Sequence, residues 1–464
     1  MWRFSQMKKC LGFRGATAGG LCLLAATLGM ARLASAEVAP EAEAPPPGEL
    51  SRPVPIRLLL TDTARLRAWI EARHPDMGAA AARVEQAEAA LSQSRVYPNP
   101  VLGLGVGGLT IGARNPSSLS YGDTLNWSVG LSETIELGKR GPRASAARYH
   151  RDAARESARG ALADRLADAR DALARLVYLN DRQHILEERL TSAKNVAALE
   201  RVRLEHGDIS GIDHDRLELD VTAVVQQFAD NLAELEGARA DCAALMIGSC
   251  SPIDATMDTV DEAVPAGESY PELERMIRNR PDIREARLES SAARTEALLH
   301  RRQAIPDPTV GVTYTHDYLV AAGNQPNTLQ ATVTMPLPVL DHGQHLARQS
   351  EGVATELDFS ARSLETRASA EARALLLRRN VLREKLDTLT KFAIPRANGV
   401  LKSSDEAYHR GQLSLTDLLL VRREHASLLL DAIDTRYELF TVRNTLHRTL
   451  GIGATDVPTF PTRR

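Results

Sequence analysis

RHPDMGAAAARVEQAEAALSQSRVYPNP, residues 73–100, and NRPDIREARLESSAARTEALLHRRQAIPDP, residues 279–308, are two versions of one unit. Each places a proline where a helix can start and closes in a proline-containing turn. The similarity continues outward. In both halves the turn leads into a short strand, a loop, a second strand, a Gly-containing turn and a very long helix. Each long helix ends in a tip, EHGDIS from Glu205 and HRGQLS from His409. Pro75 pairs with Pro281, Pro100 with Pro308 and Gly207 with Gly411. These separations, roughly two hundred residues, are those of a whole domain and far exceed a solenoid repeat. The chain reads as a duplication.

The pattern predicts helices over about 139–205 and 344–410, each on the order of 100 Å long at 1.5 Å per residue. Helices of that length are coiled coils, membrane spans or repeats. Their many Arg, Asp and Glu residues exclude a span, and Leu166, Ala169, Leu173 and Leu176 trace a coiled-coil-like seam. Half-length helices are expected over about 211–246, 272–303, 413–450 and 62–95. Stacked in pairs, they match the long ones, so the reading is a helical cylinder with a belt near residues 247–270.

Four short segments alternate in the manner of barrel strands, about 101–109, 125–133, 309–315 and 328–335. Leu102, Leu104, Trp127, Val129, Val310, Tyr314 and Val333 lie on apolar faces, opposite Gly, Ser, Thr, Asn and Gln without charge. Four strands cannot close, and lipid tolerates no open edge. Two chains would make a barrel filled by its own side chains, whereas three leave a lumen. The fold class expected is mainly α with a short membrane β-barrel, four strands per chain contributed to a shared trimeric 12-stranded wall.

The N-terminus fits this destination. Arg3, Lys8, Lys9 and Arg14 precede the apolar run GGLCLLAATLGM and the small residues Ala34-Ser35-Ala36. Residues 1–36 read as a signal peptide, 37–60 as a Pro-rich leader, 61–270 and 271–450 as the two repeats, and 451–464 as a tail. Export leaves Cys242 and Cys250 as the mature cysteines, either a local disulfide or two free thiols. A formal net charge of -3 offers no polycation for nucleic acid.

Over nearly its whole mature length the chain resembles the outer membrane efflux proteins of the TolC type. Within them LSETIELGKRGPR (131–143) and MPLPVLDHGQHLARQSEG (from Met335) resemble the heavy-metal, CzcC-like branch, with Glu133 where that branch generally has Gln. The second tip follows the family pattern. The first, GDISGIDHDRLELD, departs from it with an insertion-like GIDHD. The resemblance implies a homotrimer in the outer membrane, working with a periplasmic adaptor and an inner-membrane pump of the resistance-nodulation-division (RND) type. It implies a periplasmic entrance at the tips, where Asp208, Asp213, Asp215, Asp417 and Arg410 would gate. Salt links from Arg216, Arg410, Arg422 or Arg423 would hold that entrance closed. Gly207, Ile209, Gly411, Leu413 and Ser414 would meet the adaptor. Glu136, Gly138, Pro142, Asp341 and Gly343 would form the barrel–helix junction, with Asp341 capping the second long helix.

No phosphate loop and no HExxH is present, and no catalytic constellation or cofactor site is expected. His206 and His214 flank the first tip among carboxylates and are the candidate metal ligands. Rival readings are the same duct carrying drugs or other organic solutes, a duct for protein secretion, and a periplasmic coiled-coil scaffold.

Overall fold

The structure is a computed structural model that describes residues 53–108, 121–263, 273–319 and 325–452. All of them belong to one compact unit, Leu50–Arg464. The signal peptide, most of the leader, residues 264–272 of the belt region and the tail beyond 452 lie outside the described residues. In chain order the elements are α1 (Ile56–Thr61), α2 (Thr63–Arg73), α3 (Pro75–Gln93), β1 (Val101–Gly107), β2 (Asn126–Thr134), α4 (Arg140–Glu205), α5 (Gly211–Met246), α6 (Met257–Ala263), α7 (Leu273–Arg278), α8 (Pro281–Arg301), β3 (Thr309–Asp317), β4 (Asn327–Thr334), α9 (Gln344–Thr388), α10 (Ile394–His409) and α11 (Leu415–Thr449).

The long helices form as expected. α4 runs 66 residues, and Gln344–His409 has the same length. The second is interrupted by a π turn at Leu389–Ala393, just before Pro395. Proline lacks an N–H and clashes with the carbonyl four residues back, and a wider turn absorbs both defects. The reading of one helix over 62–95 is replaced by α2 and α3, split at His74. His74 is extended and its ring accepts the Asp76 N–H, so Pro75 starts a new helix.

Small residues set the helix spacing. Ala347, Ala354, Ala361 and Ala368 recur every seven residues on α9, and all are buried. Ala293 and Ala297 of α8 are buried too, and Ser290 of α8 donates to the Ala354 carbonyl at 3.1 Å. Alanine seams let backbones approach closely, and the heptad keeps the seam on one side of a long helix. Arg287–Glu365, Arg294–Asp358 and Arg301–Glu351 ion pairs flank this contact. On α4 the predicted seam residues Leu166, Ala169, Leu173 and Leu176 are all buried.

The largest apolar cluster sits where the half-length helices meet. It gathers Leu162–Leu179 of α4, the end of α5, α6 and Phe440 of α11. The leader contributes to it, contrary to expectation. Val54 donates to the Ser249 carbonyl at 2.8 Å, and Ile56, Leu59 and Leu60 of α1 are buried. Proline-rich composition upstream masked this short apolar run. Trp69 Nε1 adds a bond to the Met246 carbonyl at 2.8 Å.

Cys242 and Cys250 lie in this cluster and are joined as a disulfide, with Cα atoms 6.2 Å apart. Replacing both by Ser is expected to cost about 2–3 kcal/mol, from loss of a short ring in the unfolded chain. Chemical denaturation of the detergent-solubilised protein would read it. An unchanged midpoint would mean that the surrounding core alone holds the segment.

His150 of α4 sits between two carboxylates of α8, Nδ1 to Glu289 and Nε2 to Glu296, both at 2.9 Å. The bond to Glu289 raises its pKa most, burial opposes it, and the Glu296 bond adds to the rise, to about 9. The stabilisation is full below the ordinary value of 6.5 and declines as pH rises through about 9. Melting midpoints should therefore fall between those pH values. His150→Gln should flatten that slope; an unaltered slope would assign it to other groups.

Candidate functional site

Three zones carry the sequence-predicted residues: the sheet, its junction with the helices, and the helix tips. The sheet is antiparallel in the order β1-β2-β3-β4. Its registers place Leu104 opposite Val129, Val129 opposite Tyr314 and Tyr314 opposite Leu329. Leu102, Leu131, Val312 and Ala331 form the next row toward the helices. Directly opposed residues share a face, so the four predicted apolar faces merge into one. Leu102, Leu104 and Val333 are 63%, 65% and 70% exposed, which leaves this face without cover in one chain. At the end away from the helices Trp127 lies 5.4 Å from Tyr314 and 5.8 Å from His316, and His316 lies 4.7 Å from Tyr318.

The other face carries rows such as Gly103–Gly130–Thr313–Gln330 and Gly105–Ser128–Thr315–Thr328. Some glycines are there for contact. A Cβ on Gly105 would fall 2.6 Å from Ser128 Oγ. Two charges modify the expected pattern. β3 extends to Asp317, which pairs with Asn126 on the polar face at the far rim. Glu133 pairs with Val310 and so lies on the apolar face, at the end near the helices.

At the junction, Ile135 N–H donates to the Pro308 carbonyl at 2.9 Å, and Leu137 N–H to Asp307 Oδ1 at 2.9 Å. Lys139 Nζ reaches Asp307 at 2.6 Å. Glu136 forms a two-pronged pair with Arg143, whose Nε also donates to the Ser94 carbonyl at 2.9 Å. Pro142 falls in the first turn of α4, where a missing N–H costs no helical bond. Gly138 and Gly343 turn the chain with φ of 72° and 79°. Asp341 does not cap α9 as expected. Its Oδ1 accepts the Gly343 N–H at 2.9 Å, two residues ahead of the capping position, and Gly343 itself occupies the N-cap. Asp307 escaped the sequence reading, although Pro306-Asp307-Pro308 matches Pro98-Asn99-Pro100.

The two tips are built alike. Gly207 and Gly411 take φ of 80° and 73°, and Asp208 and Gln412 send their N–H groups back to the Arg203 and Ala407 carbonyls, both at 2.9 Å. Ser210 and Ser414 cap α5 and α11, accepting from Asp213 N and Asp417 N at 3.1 Å and donating to the same carboxylates at 2.8 and 2.6 Å. In each pair the serine is the N-cap acceptor and its own hydroxyl proton goes to the aspartate carboxylate, so the two residues close on one another at the helix start. The tips correspond residue for residue, so the first holds no insertion. Its GIDHD occupies the places of Leu415–Leu419, and His214 stands where the second tip buries Leu418.

Asp213 and Asp417 thus hold helix ends, while Asp208 and Asp215 are exposed outside those bonds. The four arginines expected to clamp the entrance all pair within the chain: Arg216 with Asp213 at 3.6 Å, Arg410 with Glu406 at 3.0 Å, Arg422 with Asp405 at 2.8 Å and Arg423 with Asp220 at 3.0 Å. Ile209 and Leu413 are half-buried at equivalent places. His206 and His214 do not assemble a metal site: His206 Nδ1 bonds the Val202 carbonyl at 2.7 Å, and no group of three potential ligands occurs among the described residues.

Sequence reasoning missed the tie between the two hairpins. Tyr408 donates to Glu200 at 2.6 Å and accepts from Arg203 at 2.7 Å, with Glu200 fully buried. Burial first, then the Glu200 bond, pushes the Tyr408 hydroxyl up to about 12, so it stays a donor. Nearby, a cavity of about 220 Å³ separates the hairpins, lined by Arg189, Asp220, Leu419 and Arg422 among others.

Long helices carrying a small open sheet, with one face apolar but for Glu133 beside the helices and the other of small and polar residues with Asp317 at the far rim, fit an outer-membrane duct. The comparisons agree. The sequence profile described as "Outer membrane efflux protein" matches residues 68–246 and 273–452, one block per repeat, and the chain belongs to that family. It has the family's fold, a mainly-α long-helix periplasmic domain plus a small open sheet, and it is an outer-membrane, non-enzymatic efflux duct of a tripartite transport system. Among curated relatives, the cobalt-zinc-cadmium resistance protein CzcC of Cupriavidus metallidurans is 24% identical over 384 residues, 81% of this chain and 86% of that protein. Among solved structures, CusC superposes with a TM-score of 0.71 at 16% identity, covering 84% of this chain and 92% of that one. The open state of the MtrE outer membrane channel of Neisseria gonorrhoeae gives 0.67 at 16% identity, over 86% and 89%.

Proposed function

We propose that this chain is the exit duct of a homotrimeric RND-type efflux system, exporting heavy-metal cations passed on by an inner-membrane pump and a periplasmic adaptor. The sheet carries the reading: one uncovered apolar face, one face of hydroxyls, amides and glycines, and two open edges. Lipid admits such a sheet only when copies close it. In this reading Leu102, Leu104, Trp127, Val129, Val310, Tyr314 and Val333 face lipid. The tips, with Gly207, Ile209, Gly411, Leu413 and Ser414, meet the adaptor, and Asp208 and Asp215 supply an acidic ring that favours cations.

Asp208→Asn with Asp215→Asn is expected to lower cation selectivity in planar bilayers; an unaltered reversal potential would remove these acids from the entrance. The cargo reading is supported by the resistance named for the Cupriavidus relative. It is tested by growth of a strain lacking this chain. Sensitisation to Co²⁺, Zn²⁺ or Cd²⁺, reversed by the intact chain, is the expected result. Sensitisation to organic dyes with no change toward metals would favour the organic-solute duct.

A further inference from the structure

We propose that the cavity between the two hairpins is a binding site for a small apolar carboxylate, with Arg189 taking the charge. The site lies within one chain and does not depend on what the duct exports.

Short of the tips four helices run together, α4 with α5 in the first hairpin and α10 with α11 in the second. A cavity of about 220 Å³ opens where they meet. Ile185, Arg189, Ser192 and Val196 bring one face of α4 to it at helical spacing. Leu401 and Asp405 come from α10, Leu419 and Arg422 from α11, and Asp220 from α5. The levels on either side are filled. Toward the tips Leu217 of α5 and Leu418 of α11 are buried. Away from them Asn231 of α5 is buried and donates to the Leu179 carbonyl at 3.1 Å and to Gln183 at 2.7 Å. Interiors leave few voids larger than a water molecule. A water takes about 30 Å³, so this space admits something larger.

The charges around the cavity are matched except at one place. Arg422 pairs with Asp405 at 2.8 Å and Arg423 with Asp220 at 3.0 Å. Arg189 instead donates Nη1 to the neutral Gln227 Oε1 at 2.8 Å, and no ion pair of Arg189 occurs among the described residues. Burial works most against its charge and lowers its pKa; Asp220 supports the charge and Arg423 opposes it. Glu188 also lines the cavity, but it is exposed and borders the open groove of His184 and Glu187, where water screens it. A half-buried guanidinium without a counter-ion is costly until an anion completes it. The duplicated fold does not require this charge. Gly207 matches Gly411, so Arg189 corresponds to Ala393 in the second repeat.

Two features define the ligand. A guanidinium receives a carboxylate through two parallel hydrogen bonds. The other walls are aliphatic, Ile185 and Val196 from one hairpin, Leu401 and Leu419 from the other, so a bare hydrated anion gains little there. The volume lies below the roughly 300 Å³ at which pockets for drug-sized compounds begin. A carboxylate on a single ring or a short branched chain meets all three conditions. With its charge on the first hairpin and its apolar body against the second, it favours the arrangement in which the hairpins lie this close.

The test is calorimetric titration of benzoate into the full chain purified in detergent. Ligands of about nine non-hydrogen atoms bind with Kd between roughly micromolar and millimolar, so millimolar benzoate suffices. Saturable binding is expected. Benzamide, its uncharged counterpart, and acetate, which lacks the ring, should each bind at least about tenfold more weakly. Arg189→Gln should weaken benzoate by at least about tenfold. Ala193→Leu leaves Arg189 intact, lengthens a side chain that lines the cavity, and should abolish binding. Native mass and thermal midpoint without benzoate show whether each variant has assembled. Should one fail to, the other variant and the benzamide comparison on the unaltered chain still decide. Absence of saturable benzoate binding, or benzamide binding as tightly, overturns the carboxylate site. Acetate binding as tightly as benzoate overturns its apolar part. Unchanged benzoate binding in either assembled variant puts the compound elsewhere and overturns the assignment to this cavity.

Discussion

Gly343→Ala should abolish assembly of the duct. Gly343 starts the second long helix with φ of 79°, and an added Cβ would lie 2.0 Å from the His300 carbonyl oxygen. The left-handed backbone alone costs an L side chain about 1–2 kcal/mol. The collision adds a comparable overpacking cost, for a total of about 3 kcal/mol or more. The contacting atom is backbone of α8, so relief means moving α8 away from α9 at the level of the membrane. Gly411→Ala separates the two causes. Its φ is 73° with no atom within 4 Å of the new Cβ, so it should cost only the backbone share of about 1–2 kcal/mol. Trimer yield and thermal midpoint of the two variants would check this; equal losses would mean that the His300 contact is not what fixes the junction.

Val129→Arg is expected to prevent insertion, whereas Ser128→Arg is expected to leave it intact and change conductance. Val129 lies mid-strand on the apolar face, in the row of Leu104, Tyr314 and Leu329. An arginine facing lipid near the bilayer centre costs about 2–4 kcal/mol, and a trimer carries it three times. Ser128 lies on the opposite face, among glycine and threonine, where a long cation extends into water. Membrane fractionation followed by bilayer recording distinguishes them. If both variants insert equally well, the apolar face does not meet lipid.

The elements were legible where the signal is local and periodic. Alternation in LNWSVGLS and TVGVTYT placed the strands and their common face, and the seam through Leu166 and Leu173 placed α4. The duplication was legible because prolines and glycines mark turns that only a few residue types can make. Side-chain partners across the chain were not legible. Glu200, Arg203 and Tyr408 meet only after two helices of about 100 Å are laid side by side, and no spacing in the sequence encodes that meeting. Asp213 and Asp417 were read as gating charges because acids at a tip suggest a ring. Each also lies three residues after a serine, which is the capping-box spacing and accounts for their bonds. The GIDHD segment looked like an insertion because its chemistry differs from LTDLL, while its length is the same. The leader's last turn was hidden by the prolines before it.

The central claim is a membrane duct closed by several copies, and single-channel recording of the detergent-purified chain in planar bilayers, with the mass of the same preparation, tests it most directly. A trimeric mass with discrete, cation-preferring conductance steps is the predicted result. A monomer that stays soluble without detergent and conducts nothing would contradict the account.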